Sequence, residues 1–392
     1  MTYKKARNIA DLRVLSKKRL PTPMFHFIDG GADDEVSLRR NISAFDDYIL
    51  TPDYLTDVAN IDTKTSFLGG QSALPLMLSP TGTSRLFHHE KELAVVRAAA
   101  KFDIPYALSA MSTSSIEEVG RASNSHKIFQ VYIMRDRSLT ADWVARSRAA
   151  GFKTICLTVD TPMAGNRERD LINGMTIPPR FSPATLLGFA LHPHWLANFA
   201  LHPRFELSNI IHKSDVLGAQ GNTSVIDYVN SQFDRSITWE DAAWLAEQWD
   251  GPFIIKGLMS AGDARKARDV GATAIMISNH GGRQLDGAPA PIDCVKSIRD
   301  AIGDDLELIV DGGVRRGSHM VKALAAGANA CAIGRAYLYG LSAGGQAGVE
   351  KCLSIFKSEL ERTMTLLGAR TIAEIRPDHL ARNGTADGSS DN

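Results

Sequence analysis

Eight short apolar runs of β type, each followed by a helical stretch, set the tightest limit on what this chain can fold into. They fall at residues 74–78, 104–108, 128–133 and 154–159, then at 253–255, 274–277, 306–310 and 329–333. Strands that alternate with helices build a parallel sheet, because each return to a parallel neighbour needs a crossover. Eight such units favour a closed (β/α)8 barrel over an open doubly wound sheet. No run is followed by the G-x-G-x-x-G turn of a dinucleotide fold, which argues against the open alternative. The expected fold is α/β, a (β/α)8 TIM barrel, in a single domain over 1–380. Within it a helical cap covers 1–70, strands one to four lie in 74–160, an insertion and its helix occupy 161–250, and strands five to eight with the C-terminal helices fill 252–380. Residues 381–392, rich in Gly, Ser, Asp and Asn, are expected to form a flexible tail.

In the cap, the amphipathic stretch 9–20 stops at Pro21, and Phe25-His26-Phe27-Ile28 runs into Asp29-Gly30-Gly31. The segment between strands four and five, roughly 90 residues, is far longer than one crossover helix requires. An insertion there falls on the face of the barrel where active sites form. Inside it Phe189-Ala190-Leu191-His192-Pro193-His194-Trp195 is echoed by Phe199-Ala200-Leu201-His202-Pro203-Arg204-Phe205, and no acidic residue occurs from Leu171 through Phe205.

Lys+Arg and Asp+Glu both number 44, so no global basic field is present to attract nucleic acid, and no nucleic-acid partner is expected. Cys156, Cys294, Cys331 and Cys352 lack disulfide or zinc spacing and read as buried thiols of a reducing compartment, with no metal site. Met1-Thr2-Tyr3-Lys4-Lys5 is not followed by an apolar export segment, and no apolar run reaches the length of a membrane span. The expected location is cytoplasmic.

The chemistry concentrates in Ser278-Asn279-His280-Gly281-Gly282-Arg283-Gln284-Leu285-Asp286, where a base and a fixed cation stand three residues apart on glycine-bent backbone after an apolar strand. Histidine exchanges a proton near neutral pH, and arginine offers a charged fork that matches a carboxylate. A core histidine capping a turn, with a solvated arginine beside it, would account equally for that stretch alone. The other strand ends tip the balance, since all carry polar groups: Ser79-Pro80-Thr81-Gly82, Ser109, Gln130 with Tyr132, Thr158-Val159-Asp160, Lys256-Gly257, Asp311-Gly312-Gly313-Val314-Arg315-Arg316 and Gly334-Arg335. Glycine turns after strands seven and eight, flanked by Arg315 and Arg335, suit a phosphate ester. Lys256, read otherwise as a snorkelling rim lysine, together with Thr81, Gly82, Ser109, Gln130 and Thr158 would suit a flat polar heterocycle that becomes negatively charged on reduction.

These motifs, with Asp29-Gly30-Gly31-Ala32, Phe129-Gln130-Val131-Tyr132 and Thr158-Val159-Asp160-Thr161-Pro162, closely resemble the signature of the FMN-dependent 2-hydroxy acid oxidases and dehydrogenases over roughly residues 5 to 380. That family includes glycolate oxidase, mandelate dehydrogenase and quinone-linked L-lactate dehydrogenase. The resemblance implies FMN as cofactor and oxidation of an L-2-hydroxy acid to the 2-oxo acid, with quinone or O2 as electron acceptor. It makes His280 the base, oriented by Asp160. Arg283 would clamp the substrate carboxylate with help from Arg167, and Tyr132 would bond the substrate hydroxyl. Lys256 would stabilise the reduced flavin; Pro80, Thr81, Gly82, Ser109, Gln130, Thr158 and Ser278 would line the ring, and Asp311, Gly313, Arg315, Gly334 and Arg335 would hold the ribityl phosphate.

Two positions depart from the family pattern: Phe27 stands where a carboxylate-binding tyrosine is usual, and Met111 where glycolate oxidase has tryptophan. Both belong to the expected substrate pocket, so a substrate larger than lactate is expected. By analogy with mandelate dehydrogenase, residues 181–210 would form a peripheral membrane contact on the inner face of the cytoplasmic membrane, giving access to quinone; a lid or subunit contact burying the same aromatics is the alternative. A homotetramer or octamer is implied by the resemblance. Two other readings stay open at this point: a phosphate-binding barrel isomerase that shuttles protons without net oxidation, and an FMN enzyme acting on another kind of substrate.

Overall fold

The computed structural model describes residues 2–175, 182–202, 205–210 and 231–382. Eight parallel strands close into one barrel in sequence order: β1 (Leu76–Leu78), β2 (Tyr106–Ser109), β3 (Lys127–Val131), β4 (Thr154–Thr158), β5 (Phe253–Leu258), β6 (Ala274–Ser278), β7 (Glu307–Asp311) and β8 (Ala330–Ile333). β8 closes onto β1 through Cys331 opposite Leu76 and Ile333 opposite Leu78. Each strand overlaps the apolar run expected for it.

The two-residue period of a strand explains why these runs are apolar throughout. Cys156, Ile254, Met276 and Ile309 turn inward and fill the barrel, while their neighbours Ile155, Leu157, Ile255, Ile275, Ile277, Leu308 and Val310 turn outward against the helices. Beneath the strand starts, a hairpin of Thr65–Phe67 and Gly70–Ser72 adds Phe67 and Leu68 to the interior cluster. Its tip is fastened where Leu68 N–H donates to Glu307 at the start of β7, 2.6 Å away. The floor is thereby plugged, and the only wide opening of the barrel among the described residues lies at the strand ends.

Over that opening sits the cap, α1 (Ile9–Arg19), α2 (Thr22–Asp29) and α3 (Val36–Ser43). The Asn8 side chain accepts from Asp11 N–H to start α1, and the chain leaves the helix just before Pro21. The 33-residue helix Arg335–Leu367, bent at Gly344 and Gly345, carries α1 on its flank. Asp29 knits these parts together: it accepts from Arg13 Nε and Nη2 at 2.6 and 2.7 Å, from Arg169 Nη1 at 3.2 Å and from the Tyr339 hydroxyl at 2.8 Å.

The cap is less helical than expected, because 48–50 and the hairpin are three-residue strands, too short for periodicity to reveal. Tyr48–Leu50 pairs antiparallel with Leu380–Arg382. Residues 381 and 382 therefore belong to a strand pair, a correction to the tail expected from 381; the rest of that tail lies outside the described residues.

The insertion follows β4. Its Leu-His-Pro repeat sets a helix boundary, since Leu191 and His192 end one helix, Pro183–Ala190, and Pro193 begins the next, Pro193–Ala200. Proline is tolerated at a helix start, where its missing N–H has no intrahelical partner to lose. The second copy of the repeat lies partly outside the described residues.

Candidate active site

Just past β6, His280 takes a left-handed backbone conformation, φ +57°, which is uncommon for a residue with a side chain. The surroundings hold it there: His280 N–H donates to Ser278 Oγ (3.0 Å), and its Nδ1 lies 2.8 Å from Asp160 Oδ1. A carboxylate at Nδ1 implies that this nitrogen carries the proton, which leaves Nε2 as the basic atom. Gly281 and Gly282 continue with φ +66° and +73°, and a Cβ on Gly282 would sit 2.5 Å from the backbone nitrogen of Leu38. Glycine thus lets α3 pack directly on the loop that carries His280.

The rest of that nine-residue stretch anchors it. Asn279 exchanges a reciprocal pair of 2.7 Å amide bonds with Asn41 of α3. Gln284 donates to the carbonyls of Asp160 and Met163 and accepts from Gly165 N–H. Asp286 accepts from Val36 and Ser37 N–H at the start of α3.

Lys256 is 4% exposed, yet its ammonium lies 3.2 Å from Asp311 and 3.6 Å from Asp160 and donates to Ser278 Oγ at 3.0 Å. Burial alone would favour the neutral amine, but Asp160 and Asp311 outweigh it and hold the charge well above the ordinary lysine range. Burial likewise opposes the Asp160 carboxylate, and His280 with Lys256 overcomes it to keep the group ionised. Asp311 also accepts from Ser79 Oγ at 2.7 Å and Ser278 Oγ at 2.9 Å. Burial, reinforced by Asp160, pushes the Tyr132 phenol up to about 12, so it stays a hydrogen-bond donor at neutral pH.

These groups open into one cavity of about 330 Å³ between the strand ends and the cap. Pro80, Thr81, Gly82, Ser109, Met111, Gln130, Tyr132, Thr158, Lys256, His280, Asp311, Gly313, Arg315, Gly334 and Arg335 line it, with Phe27, Arg167 and Arg283 at the cap side. Asp160 and Ser278 stand one layer back, behind His280 and Lys256. Ser109 Oγ donates to Gln130 Oε1 at 2.9 Å. Arg283 Nη1 donates to the carbonyls of Phe27 (2.8 Å) and Gly30 (3.1 Å), and its guanidinium lies 5.5 Å from the Phe27 ring centroid. Arg335 is tied down more firmly, donating to the carbonyls of Ile28, Gly281 and Gly30 at 3.0, 2.8 and 2.8 Å. Burial lowers its pKa to about 10, still charged at neutral pH. Two of its five N–H groups therefore brace the cap and a third ties the cap to the loop at Gly281, a role that the glycine-arginine spacing does not disclose.

The residues present fit FMN. Thr158 Oγ1 is buried, lines the cavity and has no hydrogen-bond partner in the protein, as a group awaiting a ligand would be. A fixed ammonium, Lys256, shares the wall with polar groups from several strands, and Arg315 with the backbone of Gly312 to Val314 and Gly334 forms the end beside β7 and β8.

Three contributors escape a reading of motifs. Ser79 braces Asp311, Thr161 Oγ1 donates to Asp160 at 3.0 Å, and Asp170 pairs with Arg167 at 3.3 Å. Ser79 and Thr161 stand inside quoted motifs, where a second function was legible; Asp170 had only the three-residue spacing from Arg167.

The insertion buries Phe189, half-buries Trp195 and leaves Phe199 partly exposed. Phe189, Trp195 and Phe199 form a ring series at 5.2 and 5.0 Å, Trp195 Nε1 donates to the Leu86 carbonyl (2.8 Å), and Arg85 lies 5.0 Å from the Phe199 ring. Leucines instead face out: Leu186, Leu187, Leu191 and Leu201 are 56 to 79% exposed. The first insertion helix lies against α2, the helix that carries Phe27.

Comparison with known proteins agrees with this geometry. A family model described as FMN-dependent dehydrogenase matches residues 16–382. A putative L-lactate dehydrogenase of Mycobacterium tuberculosis is 40% identical over 378 residues, covering 96% of this chain and 89% of that protein. An L-lactate dehydrogenase of Allorhizobium ampelinum is 40% identical over 376 residues, covering 95% and 98%. The solved structure of the monotopic membrane protein (S)-mandelate dehydrogenase superposes with a TM-score of 0.92 at 35% identity, covering 96% of this chain and all of that one. A barrel closed over such a cavity, and a match that runs from α1 to the final strand pair, lead to one assignment: the chain belongs to the FMN-dependent dehydrogenase family.

Proposed function

We propose that His280 is the base that starts oxidation of an L-2-hydroxy acid, and that Asp160 orients it. The observation that carries this reading is the 2.8 Å contact between His280 Nδ1 and Asp160 Oδ1, with His280 lining the same cavity as Lys256 and Arg283. The chain is an FMN-dependent oxidoreductase acting on L-2-hydroxy acids such as lactate or mandelate, converting the carbinol to the 2-oxo acid. FMN, when bound, accepts the two electrons.

The protein's own groups do the rest. Arg283, with Nη1 fixed on two carbonyls, turns its remaining N–H groups to the substrate carboxylate, and Arg167 assists. Tyr132 donates to the substrate hydroxyl. His280 Nε2 takes the proton from C2 or from that hydroxyl, and the Asp160 carboxylate stabilises the imidazolium that results. Lys256 supplies a positive charge to the cofactor ring, and Pro80, Thr81, Gly82, Ser109, Gln130 and Thr158 border it. Asp311, Gly313, Arg315, Gly334 and Arg335 hold the ribityl phosphate.

Phe27 lacks the hydroxyl of the usual tyrosine and Met111 replaces a bulkier tryptophan, which favours an acid larger or more apolar than lactate. Quinone is the favoured acceptor over O2, because the exposed leucines of the insertion lie beside α2 and form an apolar face that suits a membrane interface. No helix among the described residues is long and apolar enough to cross a membrane, so this contact is peripheral. Assembly into a tetramer or octamer completes the proposal, supported by the family resemblance alone.

The test is anaerobic mixing of the yellow holoenzyme with L-lactate, L-mandelate and glycolate. Bleaching by one of them at a catalytically competent rate supports the reading. A flavin that stays oxidised with every 2-hydroxy acid while reacting with another substrate class overturns it.

A further inference from the structure

Asp170 sits behind the substrate end of the cavity, and nothing in the catalytic scheme uses it. It lies on the short helix Glu168–Ile172, and its main chain is pinned on both sides: Asp170 N–H donates to the Arg167 carbonyl at 3.0 Å, and its own carbonyl accepts from Met175 N–H at 2.8 Å. The residue is 4% exposed, and Oδ2 is buried without a hydrogen-bond partner, 3.3 Å from Arg167 Nη1.

Three guanidiniums crowd this corner, and the carboxylates divide among them unevenly. Arg169 is answered by Glu35, at 2.6 and 2.7 Å, and by Asp29 at 3.2 Å. Arg283 meets backbone carbonyls and, among the described residues, forms no ion pair. Arg167 has Asp170. Its guanidinium carbon also lies 5.3 Å from the Phe27 ring centroid, matching the 5.5 Å of Arg283. The two cations that border the substrate end thus share one aromatic ring, and of the two Arg167 is the one paired with a buried carboxylate.

We infer that Asp170 is a positioning residue: it holds Arg167 beside the Phe27 ring, so that an arriving substrate carboxylate meets two guanidiniums already in place. The long side chain of arginine loses considerable rotamer freedom when fixed, and a buried ion pair met before binding removes that cost from the binding step. Burial opposes the Asp170 charge, and Arg167 and Arg283 only partly offset it, so its pKa stays above the usual carboxylate value. This inference rests on the proposed role of Arg167 and Arg283 in carboxylate binding.

A double-mutant cycle in the FMN-loaded enzyme tests it, with Asp170→Asn, Arg167→Ala and the combination assayed on L-mandelate and L-lactate. The expected result is a KM raised roughly tenfold by Asp170→Asn, with kcat within about threefold and flavin content unchanged. In the Arg167→Ala background the same substitution should change KM little, because the group it positions is gone. Independent effects that multiply in the double variant, or an unchanged KM in Asp170→Asn, overturn the inference while leaving the role of Arg167 intact. An unchanged KM in Arg167→Ala alone overturns the carboxylate role itself and the inference with it. If Asp170→Asn does not accumulate as holoenzyme, Asp170→Glu displaces the charge and must raise KM only when Arg167 is present.

Discussion

Phe27→Tyr restores a hydroxyl at the substrate end, and its effect can be worked from the geometry. The ring is half-buried, lines the cavity, and has the Arg167 and Arg283 guanidinium carbons 5.3 and 5.5 Å from its centroid. Tyrosine keeps that cation–π arrangement and adds a donor beside the position of the substrate carboxylate. A hydrogen bond to a charged group contributes roughly 1.5–3 kcal/mol, and each 1.36 kcal/mol is about a factor of ten in rate. The gain in kcat/KM should therefore be roughly tenfold to a hundredfold for L-lactate and glycolate, which have few other contacts. For L-mandelate the gain should be smaller, because Phe87 and Met111 line the cavity and offer apolar surface to a phenyl ring. Steady-state kinetics with an artificial electron acceptor, normalised to bound FMN, measures it. No gain on lactate or glycolate, with wild type already turning both over at ordinary rates, would refute the claim that Phe27 sets specificity.

Arg315→Ala should release FMN on dialysis while the apoprotein melts near the wild-type temperature; Arg335→Ala should weaken FMN retention and also cost roughly 3 kcal/mol of stability, because it removes three bonds, two to the cap carbonyls of Ile28 and Gly30 and one to Gly281. Unchanged FMN affinity in both would remove the phosphate assignment. Replacing the exposed Leu187, Leu191 and Leu201 with serine should abolish co-sedimentation with anionic lipid vesicles without lowering activity on a soluble acceptor, and equal partitioning before and after would remove the membrane contact. Asp29 carries a pH signature: burial opposes its charge, but Arg13 and Tyr339 pull it down to about 2 from an ordinary 3.8. A depressed folded pKa stabilises above the unfolded value and is lost as pH falls through the folded one. The gap in unfolding free energy between wild type and Asp29→Asn should accordingly shrink by roughly 2 kcal/mol between about pH 4 and pH 2, and a gap independent of pH would contradict the assignment.

The barrel was legible because buried parallel strands are apolar on both faces, so runs such as Ala274-Ile275-Met276-Ile277 stand out without any need for periodicity. The same logic failed for Tyr48–Leu50 and for the plug hairpin, whose three-residue strands owe their form to partners far away, Leu380–Arg382 in the first case. At the site, residues that present a side chain to the cavity from a strand end were readable one by one. What they brace was not. Arg335 looks like a phosphate ligand in sequence, yet three of its five N–H groups go to backbone carbonyls, at Ile28 and Gly30 of the cap and at Gly281. Trp195 and Phe199 look like a membrane face, yet Trp195 bonds the Leu86 carbonyl and Phe199 lies against Arg85, while Leu186, Leu187, Leu191 and Leu201 are the large apolar side chains most exposed around them.

The central claim is that His280, set by Asp160, removes the proton that allows oxidation. Its most direct measurement is anaerobic stopped-flow reduction of the flavin by L-mandelate or L-lactate in wild type and His280→Ala, at equal FMN content. The expected variant is yellow, retains its cofactor and bleaches slower by several orders of magnitude. A variant that bleaches at close to the wild-type rate would contradict it.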